Sequence, residues 1–94
     1  MLTTAQARKA VRLTTNVHDD ELSALVYAGV MDLETAGVVE PQEGDTELFD
    51  HALRMYVRAN FEPDSPESTR CMEIYEKLKG TMKLADRYRG ELEE

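Results

Sequence analysis

Apolar positions recur every three or four residues in four successive stretches of this chain, and the polar segments between them are short. That period keeps one face of an α-helix dry. The first stretch runs from Thr3 to Leu13. Thr3 or Thr4 suits its cap, Ala5, Ala7 and Ala10 favour helix, and Leu2, Val11 and Leu13 offer an apolar edge. TTNVH then breaks the pattern with β-branched and polar residues and reads as a loop. The second stretch runs from Asp20 to about Ala36. Asp19 or Asp20 is placed to cap it, and Glu21 complements the helix dipole in the first turn. Leu22, Val26, Gly29, Leu33 and Ala36 share one face, with Leu25, Tyr27 and Val30 nearby. Gly29 in mid-helix costs about 1 kcal/mol against Ala, so the close approach of another helix is expected there. Gly37 stands where a C-terminal cap belongs, and Pro41 and Gly44 mark an acidic loop.

From His51 to Tyr88 the pattern is sharpest, and it predicts two amphipathic helices joined by a turn. The third stretch covers Thr46 to about Asn60, capped by Asp45, with Leu48, Phe49, Ala52, Leu53, Tyr56 and Val57 forming a broad stripe. Arg54 and Arg58 form a basic i,i+4 pair on another face, and Phe61 packs back as the chain leaves. The fourth covers Pro66 to about Arg89. Ser65 caps it and Pro66 takes the first helical position, where its missing N–H removes nothing. Cys71, Ile74, Tyr75, Leu78, Met82, Ala85 and Tyr88 form its stripe, while Glu73 and Lys77 pair in the favourable orientation. Lys83, Arg87 and Arg89 suit the C-terminal dipole, and Gly80 is placed to bend the helix or admit a neighbour. Gly90 to Glu94 reads as a frayed end. Nothing alternates with period two for long, although Val38 and Val39 could form a short extended piece. The expected fold is therefore all-α: a bundle of about four helices, the last two long and antiparallel, in one domain spanning residues 1–94.

Composition narrows the functional classes. A chain of 94 residues supports one modest core, burying roughly 60–65% of the surface its unfolded form exposes. The net charge of −8 disfavours sequence-specific DNA binding, which needs cations against phosphates, and disfavours anionic membranes. It is compatible with enclosing DNA, since a repulsive wall lets a duplex slide. The charge is uneven: three basic residues face nine acidic ones up to Glu47, and eight face ten beyond it. Such polarity could orient copies in an assembly. The single cysteine, Cys71, excludes an internal disulfide and fits a reducing compartment. No signal peptide is expected at the start, and no apolar run approaches membrane-spanning length.

Catalytic chemistry finds little support. His18 beside Asp19, Asp20 and Glu21 could contribute to a hard-metal site, but capping and dipole complementarity explain those acids. Glu47 and His51, one turn apart, supply two ligands at most. Cys71 lies on an apolar stripe and reads as a small core residue. Ser65 and Ser68 have no base in sequence reach, and no glycine-rich phosphate loop is present. No metal, cofactor or catalytic residue is assigned.

Three pieces carry a family likeness. The first, ELSALVYAGVMDLETAGV from Glu21 to Val38, is marked by Ala28, Asp32, Leu33, Ala36, Gly37 and Val38. The second, FDHALRMYVRANFEPDSPES from Phe49 to Ser68, is marked by Ala52, Tyr56, Val57, Arg58, Asn60, Phe61 and Pro66. The third, YEKLKGTMKLADRY, runs from Tyr75 to Tyr88. In order and spacing these pieces resemble the head-tail connector family of tailed bacteriophages, also described as a DNA-packaging or head-completion family. One departure is Glu62, where the family often has Gly, and it bears on the local turn. The resemblance implies an all-helical subunit of a phage or prophage, without catalysis or cofactor. It implies a homo-oligomeric ring, dodecameric on the particle, stacked on the portal protein and followed by a tail-side adaptor or stopper. DNA would pass through without sequence-specific binding. The expected location is the head–tail junction of the virion, and the bacterial host cytoplasm during assembly.

The family lends no interface residues, so the candidates come from the chain itself. Gly29 and Gly80 suggest close helix contacts between protomers. Arg54 and Arg58 suggest either pairing with acids of the next protomer, from the Glu40 to Asp45 loop, or an ordinary solvated face, since exposed pairs contribute little. The competing reading is an acidic helical adaptor or regulator that binds a basic protein partner by a helix-in-groove mode. The two differ in symmetry, because a connector must associate head to tail into a closed ring. A helical DNA-binding regulator is weakened by the charge, and a metal hydrolase by its lack of ligands.

Overall fold

The computed structural model describes residues 1–42 and 44–89 and is all-α. Helices α1 (Thr4–Ala10), α2 (Asp19–Thr35), α3 (Glu47–Phe61) and α4 (Ser68–Lys83) follow one another, and a 3-10 turn at Asp86–Tyr88 closes the described chain. The expected fraying of Gly90 to Glu94 lies outside the described residues.

α3 is the central element, because it alone presents apolar residues to every other helix. Its Phe49, Ala52, Leu53 and Val57 are fully enclosed, and α1, α2 and α4 all pack against it. Leu22 and Leu33 close the core from α2, Tyr75 and Met82 from α4, and Ala7 from α1. Arg58 near the end of α3 meets Glu67 just before α4, while Arg87, beyond the far end of α4, donates to the Asp45 carbonyl before α3. Those contacts at opposite ends are what antiparallel neighbours make.

Local chemistry explains the start of α1 and the end of α2. Thr3 caps α1 through a capping box: its hydroxyl accepts from the Gln6 N–H, and the Gln6 side chain accepts from the Thr3 N–H. The helix stops at Ala10 rather than Leu13, with Arg12 in the left-handed region at φ 64°. Gly37, at φ 90°, ends α2. Its N–H donates to the Glu34 carbonyl and the Val38 N–H to that of Leu33, the paired bonds of a Schellman cap. Val38 is fully buried and Val39 donates to the Tyr88 carbonyl, so this pair tethers the chain's end rather than forming a strand.

Four further expectations need correction. α2 has no aspartate cap: His18 occupies the cap position without a side-chain bond, and the Asp19 carboxylate is held by Arg8. Thr46, not Asp45, is the cap residue of α3, although Asp45 Oδ1 accepts from the Glu47 N–H one residue further out. α4 starts at Ser68, not Pro66. Ser65 caps a preceding turn instead, its hydroxyl accepting from the Glu67 N–H and its carbonyl from the Ser68 N–H. Finally, α4 does not continue to Arg89. It ends at Lys83, Ala85 is extended, and Tyr88 returns to the core through the 3-10 turn.

Candidate functional site

The polar residues that the fold gathers most tightly lie between α2 and α4. Asp32 sits in the last turns of α2, on the flank between the buried stripe and solvent. Tyr75 and Lys79, one turn apart on α4, both reach it: the Tyr75 hydroxyl donates at 2.5 Å and the Lys79 ammonium at 2.9 Å. Lys79 also pairs with Glu76 at 3.2 Å and lies 5.1 Å from the centre of the Tyr75 ring. The Tyr56 ring of α3 meets the Tyr75 ring edge-on at 5.1 Å. Beneath Tyr56 lies Gly29: a Cβ there would stand 3.1 Å from the Tyr56 ring and 2.9 Å from Leu53 Cδ2. Asp32, Gly29, Tyr56 and Tyr75 thus form one continuous contact across three helices.

The electrostatics of this cluster favour its present protonation states. The hydrogen bond from Tyr75, then that from Lys79, holds the Asp32 carboxyl below the ordinary carboxylate range against the opposing effect of burial. Burial and the Asp32 charge both push the Tyr75 phenol well above its ordinary value. Burial works against the Lys79 ammonium, but its bonds to Asp32 and Glu76 prevail and raise its pKa. A neutral phenol, a carboxylate and an ammonium held this way form a clamp. None of the three is poised to exchange a proton near neutral pH.

A smaller ion pair joins α1 to α2. The Arg8 guanidinium grips Asp19 in a fork, at 2.9 and 3.0 Å, which lowers the Asp19 pKa and raises that of Arg8. His18 meets Phe61 edge-on at 5.5 Å, which ties the loop before α2 to the end of α3.

The candidate interface residues fall out differently. Gly29 is buried within the chain against α3, so its close approach is intramolecular, and it is withdrawn as a point of contact between copies. Gly80 is exposed, with nothing within 4 Å of the position a Cβ would take. Arg58 pairs with Glu67 of its own chain at 3.2 Å, and Arg54 is half-buried with no ion pair among the described residues. In the loop proposed to receive them, Glu40 faces the Met1 amino group and the Asp45 carboxylate serves the Glu47 N–H.

The other positions marked in the three pieces take packing, capping and turn places. Leu33 is fully buried, and Asn60 Nδ2 donates to the Tyr56 carbonyl at 2.8 Å. Ala36 is the cap residue before Gly37, Pro66 lies in the turn before α4, and Tyr88 is 5% exposed with Arg87 over its ring. Cys71 is buried. Among the described residues, no group of three or more His, Cys, Asp and Glu gathers as a metal site would need, and no helix is long and apolar enough to cross a membrane. Sequence reasoning passed over Lys79 and gave Tyr75 only a core role. The one available signal was a Tyr and a Lys spaced by four on the flank of the α4 stripe. Comparison with family models, with curated proteins and with solved structures gave no match.

Proposed function

We propose that this chain is a non-enzymatic structural subunit of a phage head–tail connector. It assembles as a ring under the portal, continues the DNA channel toward the tail and helps complete DNA packaging. The observation that carries the reading is the order of the three motif-bearing segments together with the meeting of their residues. Asp32 of the first and Tyr56 of the second converge on Tyr75 of the third.

The charge supports the same reading. A chain of net charge −8 repels a duplex, which suits a wall that DNA must pass without sticking. The Asp32 cluster serves as a rigid clamp between α2 and α4, and a ring subunit needs such rigidity to present fixed faces to its neighbours.

Size-exclusion chromatography with light scattering tests the proposal, on the protein alone and mixed with the phage portal protein encoded near it. A ring-sized species, alone or with portal, is expected. A persistent monomer that ignores the portal would sink the reading and direct the search to a basic protein partner.

A further inference from the structure

Helix α2 carries two apolar stripes, and its own chain covers only one of them. Leu22, Val26, Gly29 and Leu33 face the core. Ala24, Tyr27 and Met31 recur at three- and four-residue spacing on the opposite side, where Tyr27 is 62% and Met31 44% exposed. A single apolar residue on a surface needs no explanation. An apolar line on a helix whose other face is already dry is the pattern of a helix buried from both sides. Asp20 and Glu34 continue that line at its two ends, and α2 contains no Lys or Arg.

A receptor of matching chemistry lies elsewhere on the molecule. The end of α3, the following turn and α4 border a groove of about 840 Å³. Ala59, Pro63, Met72 and Ile74 give it apolar lining, and Arg70 and Lys77 stand exposed at its edge. Two acids also line it: Glu76, which Lys79 engages, and Glu73, which is exposed and offsets one of the two cations. The groove shares no residue with the α2 line.

We propose that the Ala24–Tyr27–Met31 face of α2 docks in this groove on a second copy of the chain. Arg70 and Lys77 beside the groove complement a ridge that ends in acids, which favours this chain as its own partner. Because ridge and groove are different surfaces, the contact is heterologous: each copy that joins leaves one ridge and one groove open, and the series extends or closes. For closure into a ring, the inference rests on the connector reading.

The test uses two variants of the full chain in analytical ultracentrifugation. Tyr27→Ser/Met31→Ser removes the ridge, and Arg70→Glu/Lys77→Glu reverses the edge of the groove. All four side chains are exposed, so both variants should melt like the wild type. The wild type should associate as its concentration rises toward millimolar, and each variant alone should stay monomeric. An equimolar mixture should form a 1:1 pair and nothing larger, since it holds one intact ridge and one intact groove per pair. A wild type that stays monomeric, a variant that associates like the wild type, or a mixture that stays monomeric overturns the proposal. If a variant melts early, oxidation of Tyr27→Cys mixed with Thr69→Cys replaces it, both carrying Cys71→Ala so that the buried position stays apolar. A cross-linked pair supports the contact and its absence overturns it. A 1:1 pair without any portal-bound ring retains the contact and removes the connector reading. A portal-bound ring that tolerates Tyr27→Ser/Met31→Ser does the reverse.

Discussion

The Tyr75 hydroxyl reaches across 43 residues of chain to donate a 2.5 Å hydrogen bond to the Asp32 carboxylate, and so fastens α4 to the end of α2. Hydrogen bonds to charged groups contribute about 1.5–3 kcal/mol, and this one falls toward the lower end because the Asp32 side chain is 42% exposed and water can replace the donor. Tyr75→Phe, which keeps the ring and its packing, should therefore lower stability by about 1–2 kcal/mol. Asp32→Asn should cost a similar amount. The double variant should lose less than the sum of the two, by about 1 kcal/mol. Urea midpoints at constant slope measure all three, and strict additivity would show that the bond contributes nothing.

The same cluster, together with the Arg8–Asp19 pair, sets the pH dependence of stability at both ends of the scale. Asp32 and Asp19 have folded-state pKa values below their unfolded ones. Their contribution is complete above the unfolded carboxylate value of about 3.9 and is lost as pH falls through the folded values. Tyr75 and Lys79 are shifted upward, so their contribution is complete below about pH 10 and is lost as pH rises through the folded values. Melting followed by circular dichroism should give a plateau through neutrality that falls at both ends. Asp32→Asn should blunt the acid limb and Tyr75→Phe the alkaline limb. Limbs unchanged in the variants would place the titrating groups elsewhere.

The elements that could be read from the sequence are those fixed by neighbours on the same helix. Thr3, one of two candidate caps, Gly37 as a stop and Gly29 as a point of close approach each follow from one residue's backbone or size, and each takes that role in the fold. The Asp32–Tyr75–Lys79 cluster was not legible, because helical spacing says which face a residue lies on and nothing of which face it meets. Asp19 shows the same limit: its spacing suited a cap, but Arg8, 11 residues earlier, offers a stronger partner. The end of α4 misled for another reason. Ala85 and Tyr88 keep the helical period and are half-buried and buried, yet the backbone between them is extended and then 3-10. Periodicity records burial, and two different paths can bury the same tyrosine.

Gly29→Ala sets two effects against each other. Replacing Gly by Ala in a helix interior gains about 1 kcal/mol. The added methyl would stand 2.9 Å from Leu53 Cδ2 and 3.1 Å from the Tyr56 ring. Leu53 is fully enclosed, so it cannot yield without displacing the core, and overpacking of that kind costs about 1–3 kcal/mol. A net loss of about 1 kcal/mol is expected, lowering the melting temperature by about 4–8 °C. Gly29→Val should lose more. Stabilisation by Ala would mean that α2 and α3 can separate at that point without cost. Gly80→Ala is the matched control: with open space around it, the full propensity gain should appear as a rise in stability.

Gly37→Ala isolates a backbone effect, since a Cβ at this position meets nothing within 4 Å. What opposes the substitution is the φ of 90°, which an L side chain adopts only at a cost of about 1–2 kcal/mol. The consequence should exceed that local strain if the cap relaxes. The Val38 N–H bond to Leu33 places Val38 in the core, and the neighbouring Val39 holds the Tyr88 carbonyl. Hydrogen exchange of the Val38 and Val39 amides should therefore accelerate in Gly37→Ala more than that of α3 amides. Gly37→Asn should recover part of the loss, because Asn tolerates the left-handed region. Equal acceleration in α3 would show that the cap is coupled to global unfolding and does not open on its own.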